Sequence, residues 1–147
     1  MRLMALDVGE RRVGVAVSEN GLLAAPHSVL QRKSKQEDFV RLQRLVEELR
    51  IERIVVGLPY SLAGGETMGP QARRVKRYAD SLAQVVTIPL EFIDESYSTV
   101  DAEAYLAAPS FEEGRRKPGK RGKAPLDAAA AAVILQKYLD AQSENRE

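Results

Sequence analysis

Three short apolar segments open the chain. Residues 2–8, 13–18 and 22–30 each hold a compact run of aliphatic side chains, and tight breaks that contain Gly or charged residues separate them. That pattern predicts three strands joined as an antiparallel meander. The period then changes. In SKQEDFVRLQRLVEELR, Phe39, Leu42, Val46 and Leu49 recur at helical intervals with charges between them. Ser34 and Glu37 stand at the spacing of a capping box and mark the start of that helix. IERIVVGLP is nearly continuous in apolar residues, as a strand buried on both faces should be, and Pro59 ends it. A polar, Gly-rich loop follows. Beyond Pro70 a second helix presents Ala72, Val75, Ala79 and Leu82 on one face. Arg73, Arg74, Lys76 and Arg77 fall on its remaining surface; Arg73, Arg74 and Arg77 read first as a solvated face, with a nucleic-acid contact as the lesser alternative. VVTIPLEFI predicts one more strand, edge-like or bulged at Pro89. Ser98 or Thr99 can cap a helix with Val100, Ala104 and Leu106. Residues 109–125 show no periodicity and read as a flexible loop. Pro125 at a helix start then opens LDAAAAAVILQKYL.

The order β-β-β-α-β-α-β-α-α predicts an α/β fold, a mixed five-stranded sheet of meander plus parallel strands with helices on both faces. One domain is expected over residues 1–140, with a frayed tail over 141–147.

Composition narrows the chemistry. With 22 basic and 21 acidic side chains, the chain as a whole is not a polycation. It has no cysteine, so disulfides, thiolate nucleophiles and Cys-ligated zinc are excluded. Its single histidine, His27, rules out a His-rich metal site and reads as a structural strand residue. No apolar stretch approaches a membrane span and no secretory segment opens the chain, so the expectation is a cytoplasmic protein without membrane contact.

The placement of acidic residues changes the picture further. Asp7 closes the first strand, Asp94 and Glu95 close the last, and Asp127 stands in the first turn of the final helix. Sites on such sheets form where strand ends and helix starts converge. Carboxylates gathered there repel one another unless a cation joins them. Oxygen donors without Cys or His favour Mg²⁺ or Mn²⁺. Two such ions, about 3.5–4 Å apart, can activate a water and stabilise the leaving oxygen in phosphodiester hydrolysis. Taken singly, each acid also has a structural reading: Asp7 as a turn cap, Asp94 and Glu95 as a solvated strand end, Asp127 as a complement to the helix dipole. Five alanines, 128–132, follow Asp127 and allow close approach to that helix.

The distribution of basic residues points the same way. Residues 109–125 hold Arg115, Arg116, Lys117, Lys120, Arg121 and Lys123 against two glutamates, a net +4 while the rest of the chain nets −3. This charge stands directly before Asp127, and Arg11 and Arg12 flank Asp7. The segment carries few aromatic residues, so contact with phosphates is favoured over stacking on bases. GLPYSLAGGE lacks the Gly-Lys-Ser/Thr ending of a P-loop and reads as a mobile loop at the rim of the site.

LDVGERRVGVAVS, IVVGLPYSLAGGE with GPQARRVKRYADSL, DESYSTVDAEAYL and LDAAAAAVILQKYL, in this order, resemble the four signature segments of the bacterial YqgF/RuvX family. The resemblance covers most of the chain and implies a ribonuclease H-like fold. It implies that Asp7, Glu95 and Asp127 are the catalytic, metal-binding carboxylates, and it selects Glu95 over Asp94. It also implies a nuclease acting in maturation of the 5′ end of the small-subunit ribosomal RNA precursor, or a Holliday junction resolvase acting on branched DNA, as a monomer or a homodimer. One position departs from the family pattern: Ser96 stands where arginine is usual, which bears on catalytic strength or on one substrate contact. Two other classes compete. An actin/Hsp70-like nucleotide-binding fold also opens on an acidic strand end and a meander, but usually needs two such domains. A non-catalytic nucleic-acid-binding protein would account for Ser96.

Overall fold

The computed structural model describes residues 1–59, 69–94 and 123–145. Strands β1 (Leu3–Val8), β2 (Arg12–Ser18) and β3 (Ala25–Gln31) form the antiparallel meander. Strands β4 (Arg53–Leu58) and β5 (Leu90–Asp94) extend it in parallel on the β1 side, giving the order β3-β2-β1-β4-β5. Helices α1 (Lys35–Leu49) and α2 (Pro70–Ala83) cover one face, and α3 (Lys123–Asn145) covers the other. This is the mixed five-stranded sheet that the pattern predicts.

Alternation along the strands decides which helix each residue meets. Met4, Leu6 and Val8 face α1 and α2 together with Val13, Val15, Ile54 and Val56. Leu3, Ala5, Ala16 and Val55 face α3 and meet Ala131, Ala132, Ile134, Leu135 and Tyr138. The alanines let α3 lie close to the sheet. Farther along α3, the Tyr138 hydroxyl accepts from Arg53 Nη1 at 2.8 Å and donates to Glu91 at 3.3 Å, which ties the helix to β4 and β5.

Element ends differ from the pattern for local reasons. Strand β3 begins at Ala25 rather than 22, because the Asn20 side chain accepts from the backbone N–H of Leu22 and Leu23 and Gly21 adopts φ 76°, a turn. Strand β5 begins after Pro89 and lies at the sheet edge, where a missing N–H is tolerated. Helix α3 begins at Lys123, inside the segment that reads as a loop. Pro125 fits there because N–H groups of a first turn have no intrahelical acceptor. Asp127 therefore sits one turn inside the helix, not in its first turn. The helix continues past residue 140 to Asn145. The helix predicted after Ser98 and the segment 109–122 lie outside the described residues.

Ser34 caps α1 as its spacing predicts, accepting from Glu37 N at 3.1 Å. The next acidic residue behaves differently. Asp38 is buried, and its carboxylate accepts from Lys33 N at 3.0 Å, Arg41 Nη2 at 2.9 Å and the Tyr78 hydroxyl at 3.2 Å. These bonds lock α1, α2 and the end of β3 together. Burial, reinforced by the Asp38 charge, pushes the Tyr78 pKa up. A phenol with a raised folded pKa contributes stability that is complete below its unfolded value of about 10 and is lost as pH rises above it. Tyr78→Phe is expected to cost about 1.5–3 kcal/mol at neutral pH, the worth of a hydrogen bond to a charged group. It should also flatten the loss of stability above pH 10. Urea midpoints for both proteins at pH 7 and at pH 10.5 check this, and an unchanged midpoint at pH 7 would contradict it.

Candidate acidic site

Asp7 is the penultimate residue of β1 and lies directly opposite Gly14 of β2. By alternation it shares the α3-facing side with Leu3 and Ala5. Gly14 faces the same way as Ala16, and there the backbone of α3 lies on the sheet. A Cβ at Gly14 would collide with the carbonyl of Asp127. One glycine thus seats α3 at Asp127 beside the cross-strand partner of Asp7. Two acids 120 positions apart in sequence are brought to one corner of the fold.

Arg12 completes this corner. It lies on the same side of β2 as Gly14, and its Nε donates to Asp127 Oδ2 at 2.8 Å. Both side chains are 27% exposed, so the pair is partly screened and worth at most about 1 kcal/mol. Its larger consequence is orientation, since one carboxylate oxygen of Asp127 is held in place. Pattern alone assigns Arg12 to nucleic-acid contact; its geometry engages it with Asp127. Arg11 is exposed on the turn beside it. That turn is closed by Gly9 N donating to Arg12 O at 2.8 Å, and a Cβ at Gly9 would press on that same carbonyl.

Asp94 pairs in register with Leu58 and alternates with Leu90 and Phe92, which pack against the α1/α2 core. That is the opposite side of the sheet from Asp7. Glu95, Ser96, the rim loop 60–68 and the basic residues Arg115, Arg116, Lys117, Lys120 and Arg121 lie outside the described residues, as does the side chain of Lys123. Among the described residues no group of three potential metal ligands is gathered. Sequence reasoning missed Gly14, although a signal was present: an isolated glycine inside the strand pattern RVGVAVS marks a close backbone approach.

The chain matches a family model over residues 1–141, that of RuvX, described as Holliday junction resolvase. The chain belongs to the RuvX family. A relative from Syntrophomonas wolfei, named "Putative pre-16S rRNA nuclease", is 42% identical over 97% of this chain and 96% of its own length. One of the same name from Chloroflexus aurantiacus is 41% identical over 97% and 89%. Among solved structures, RuvC of T. thermophilus in complex with a Holliday junction substrate superposes with a TM-score of 0.60 at 15% identity, covering 97% of this chain and 96% of that one. The fowlpox virus Holliday junction resolvase gives 0.60 at 7% identity over 96% and 99%. At those identities the solved structures show that the RuvX chain shares their fold, the ribonuclease H-like arrangement expected from its sequence.

Proposed function

We propose that this RuvX chain is a metal-dependent nuclease that hydrolyses phosphodiester bonds in 5′-end processing of the small-subunit ribosomal RNA precursor, with Asp7, Glu95 and Asp127 as its carboxylates. The observation that carries this reading is the seating of α3 on Gly14, which sets Asp127 beside the strand pair that holds Asp7. The relatives' shared name supports the RNA substrate.

The donor set suits a hard divalent cation. Asp7 and Asp127 offer carboxylate oxygens, and the chain has no cysteine to attract a softer metal. When bound, one or two Mg²⁺ or Mn²⁺ ions supply water activation and stabilisation of the leaving oxygen. The rest of the work falls to the chain. Strand β1 fixes Asp7, Gly14 sets its separation from Asp127, and Arg12 holds the Asp127 carboxylate in one orientation. We assign phosphate contacts to Arg11, on the turn after Asp7, and to the basic stretch from Arg115 to Lys123, which precedes Asp127 in sequence.

The family's description keeps branched DNA as the second reading. A resolvase that cuts paired strands would act as a symmetric dimer, and a processing nuclease can act as a monomer. Among the described residues no helix is long and apolar enough to cross a membrane.

The decisive assay incubates the protein with a 5′-extended ribosomal RNA precursor fragment and with a four-way DNA junction, in Mg²⁺, in Mn²⁺ and in EDTA. The expected result is RNA cleavage with either metal and none in EDTA. Preferential cutting of the junction would favour the resolvase reading. Cleavage indifferent to EDTA would remove the metal, and cleavage of neither substrate would leave a binding protein.

A further inference from the structure

Beyond Asp7, on the opposite side of the sheet from Asp127, the end of β1 borders a cleft of about 520 Å³ between α1 and α2. Val75 and Tyr78 line its buried side, while among the described residues Arg32, Lys35, Arg74 and Arg77 bring four positive charges to it against one acid, Glu10. Pattern alone reads Arg74 and Arg77 first as a solvated helix face, with a nucleic-acid contact as the lesser alternative. The structure separates them from their neighbour Lys76, which is ion-paired to Asp80 at 2.8 Å. Arg74, Arg77 and Lys35 are exposed and form no ion pair among the described residues. Arg32 is held rigidly. Its Nη1 donates to the Gly9 carbonyl at 2.7 Å, its guanidinium lies 4.5 Å over the Tyr78 ring, and its Nε is 3.8 Å from Asp38.

A cleft whose described lining is net positive concentrates its field on an anion. Guanidinium groups match phosphate oxygens through paired N–H donors. Among the described residues of the lining the one aromatic ring, Tyr78, is buried under Arg32 and leaves no face for a stacked base, so these side chains match the phosphodiester backbone. Gly9 and Glu10, which border the cleft, follow Asp7 by two and three residues. A strand that crosses the β1–β2 turn touches both the acidic corner and the cleft.

We infer that this cleft is a second phosphodiester-binding site, which grips the substrate strand at phosphates other than the one hydrolysed. The inference rests on the nuclease reading for the identity of the strand. Its test is a binding measurement in EDTA, separate from cleavage. Anisotropy of a labelled single-stranded precursor RNA fragment is followed from 50 to 200 mM KCl for wild type, for Arg74→Gln/Arg77→Gln, and for the control Arg44→Gln/Arg50→Gln, which removes the same charge elsewhere. Loss of two phosphate contacts should make the slope of log affinity against log salt shallower by about 1.4, equivalent to about 25-fold weaker binding at 0.1 M salt. The control should keep the wild-type slope. Lys35→Gln, on a different helix, should show about half the change in slope, so that a folding defect in one variant does not decide the matter. Equal slopes for wild type and the cleft variants overturn the site, as does an equal loss in the control. Inorganic phosphate that binds wild type while the RNA slopes stay equal would reassign the cleft to a small anion and also overturn the inference. Wild type that binds RNA with the expected slope difference but cleaves nothing in Mg²⁺ or Mn²⁺ would keep the cleft and remove the nuclease. Wild type that binds no RNA removes both.

Discussion

Asp7→Asn should abolish cleavage and leave the fold standing. The substitution keeps the shape of the side chain and one acceptor oxygen while removing its negative charge and most of its affinity for a hard cation. If metals supply both water activation and leaving-group stabilisation, losing one ligand costs several kcal/mol of barrier. About 4 kcal/mol would slow cleavage about a thousandfold. Stability should hold or rise, because a carboxylate leaves a corner that already holds Asp127. RNA binding in EDTA should persist, because neither Arg11 nor the cleft cations are touched. A general folding defect would lower stability, binding and cleavage together. A contaminating nuclease would ignore the substitution. The comparison is a side-by-side assay of both proteins in Mg²⁺ and Mn²⁺, with thermal unfolding of each. Equal cleavage by wild type and variant would show that Asp7 is not a catalytic ligand.

Local chemistry made most of the fold legible. The Ser34 cap, the strand runs and the Ala72–Val75–Ala79–Leu82 stripe each depend on residues close in sequence; the cap and the stripe form where their spacing places them, and all five strands form, with β3 and β5 starting later than the runs suggest. What the pattern could not show depends on partners from elsewhere in the chain. Asp38 reads as one more acid in the first turn of an amphipathic helix. Its burial follows from Arg41, Tyr78 and the backbone of Lys33, which no periodicity reveals. Arg32 and Lys35 acquire their meaning only when α2 brings Arg74 and Arg77 across from them. At the acidic corner, the sequence marks Asp7 and Asp127 by their positions at element ends. Which acid of the pair at 94 and 95 joins them is selected by family resemblance, since strand ends blur by a residue. Register now puts Asp94 on the other side of the sheet. That leaves Glu95 as a proposal with one competitor fewer.

Gly14→Ala carries the second large effect, and it tests whether the corner is built as described. The added methyl would meet the backbone carbonyl of Asp127, not a side chain that can rotate away. Either α3 retreats from the sheet or β2 bends, and overpacking of this kind costs about 1–3 kcal/mol. Retreat of α3 also separates Asp127 from Asp7, so cleavage should fall by more than the loss of folded protein explains. A higher metal concentration should be needed for half-maximal rate. Since the clash is with backbone, Asp127→Ala in the same chain should not restore stability, whereas a side-chain clash would be relieved by it. Gly69 supplies the contrast. Among the described residues nothing lies within 4 Å of a Cβ there, and α2 has no side-chain cap at that position, so Gly69→Ser should leave stability unchanged or raise it by about 0.3 kcal/mol. Urea midpoints for the variants, read with cleavage rates across a metal titration, separate the two kinds of glycine. A Gly14→Ala protein with the wild-type midpoint and the wild-type metal dependence would mean that α3 does not rest on β2 at Asp127, and the acidic corner would lose the contact that assembles it.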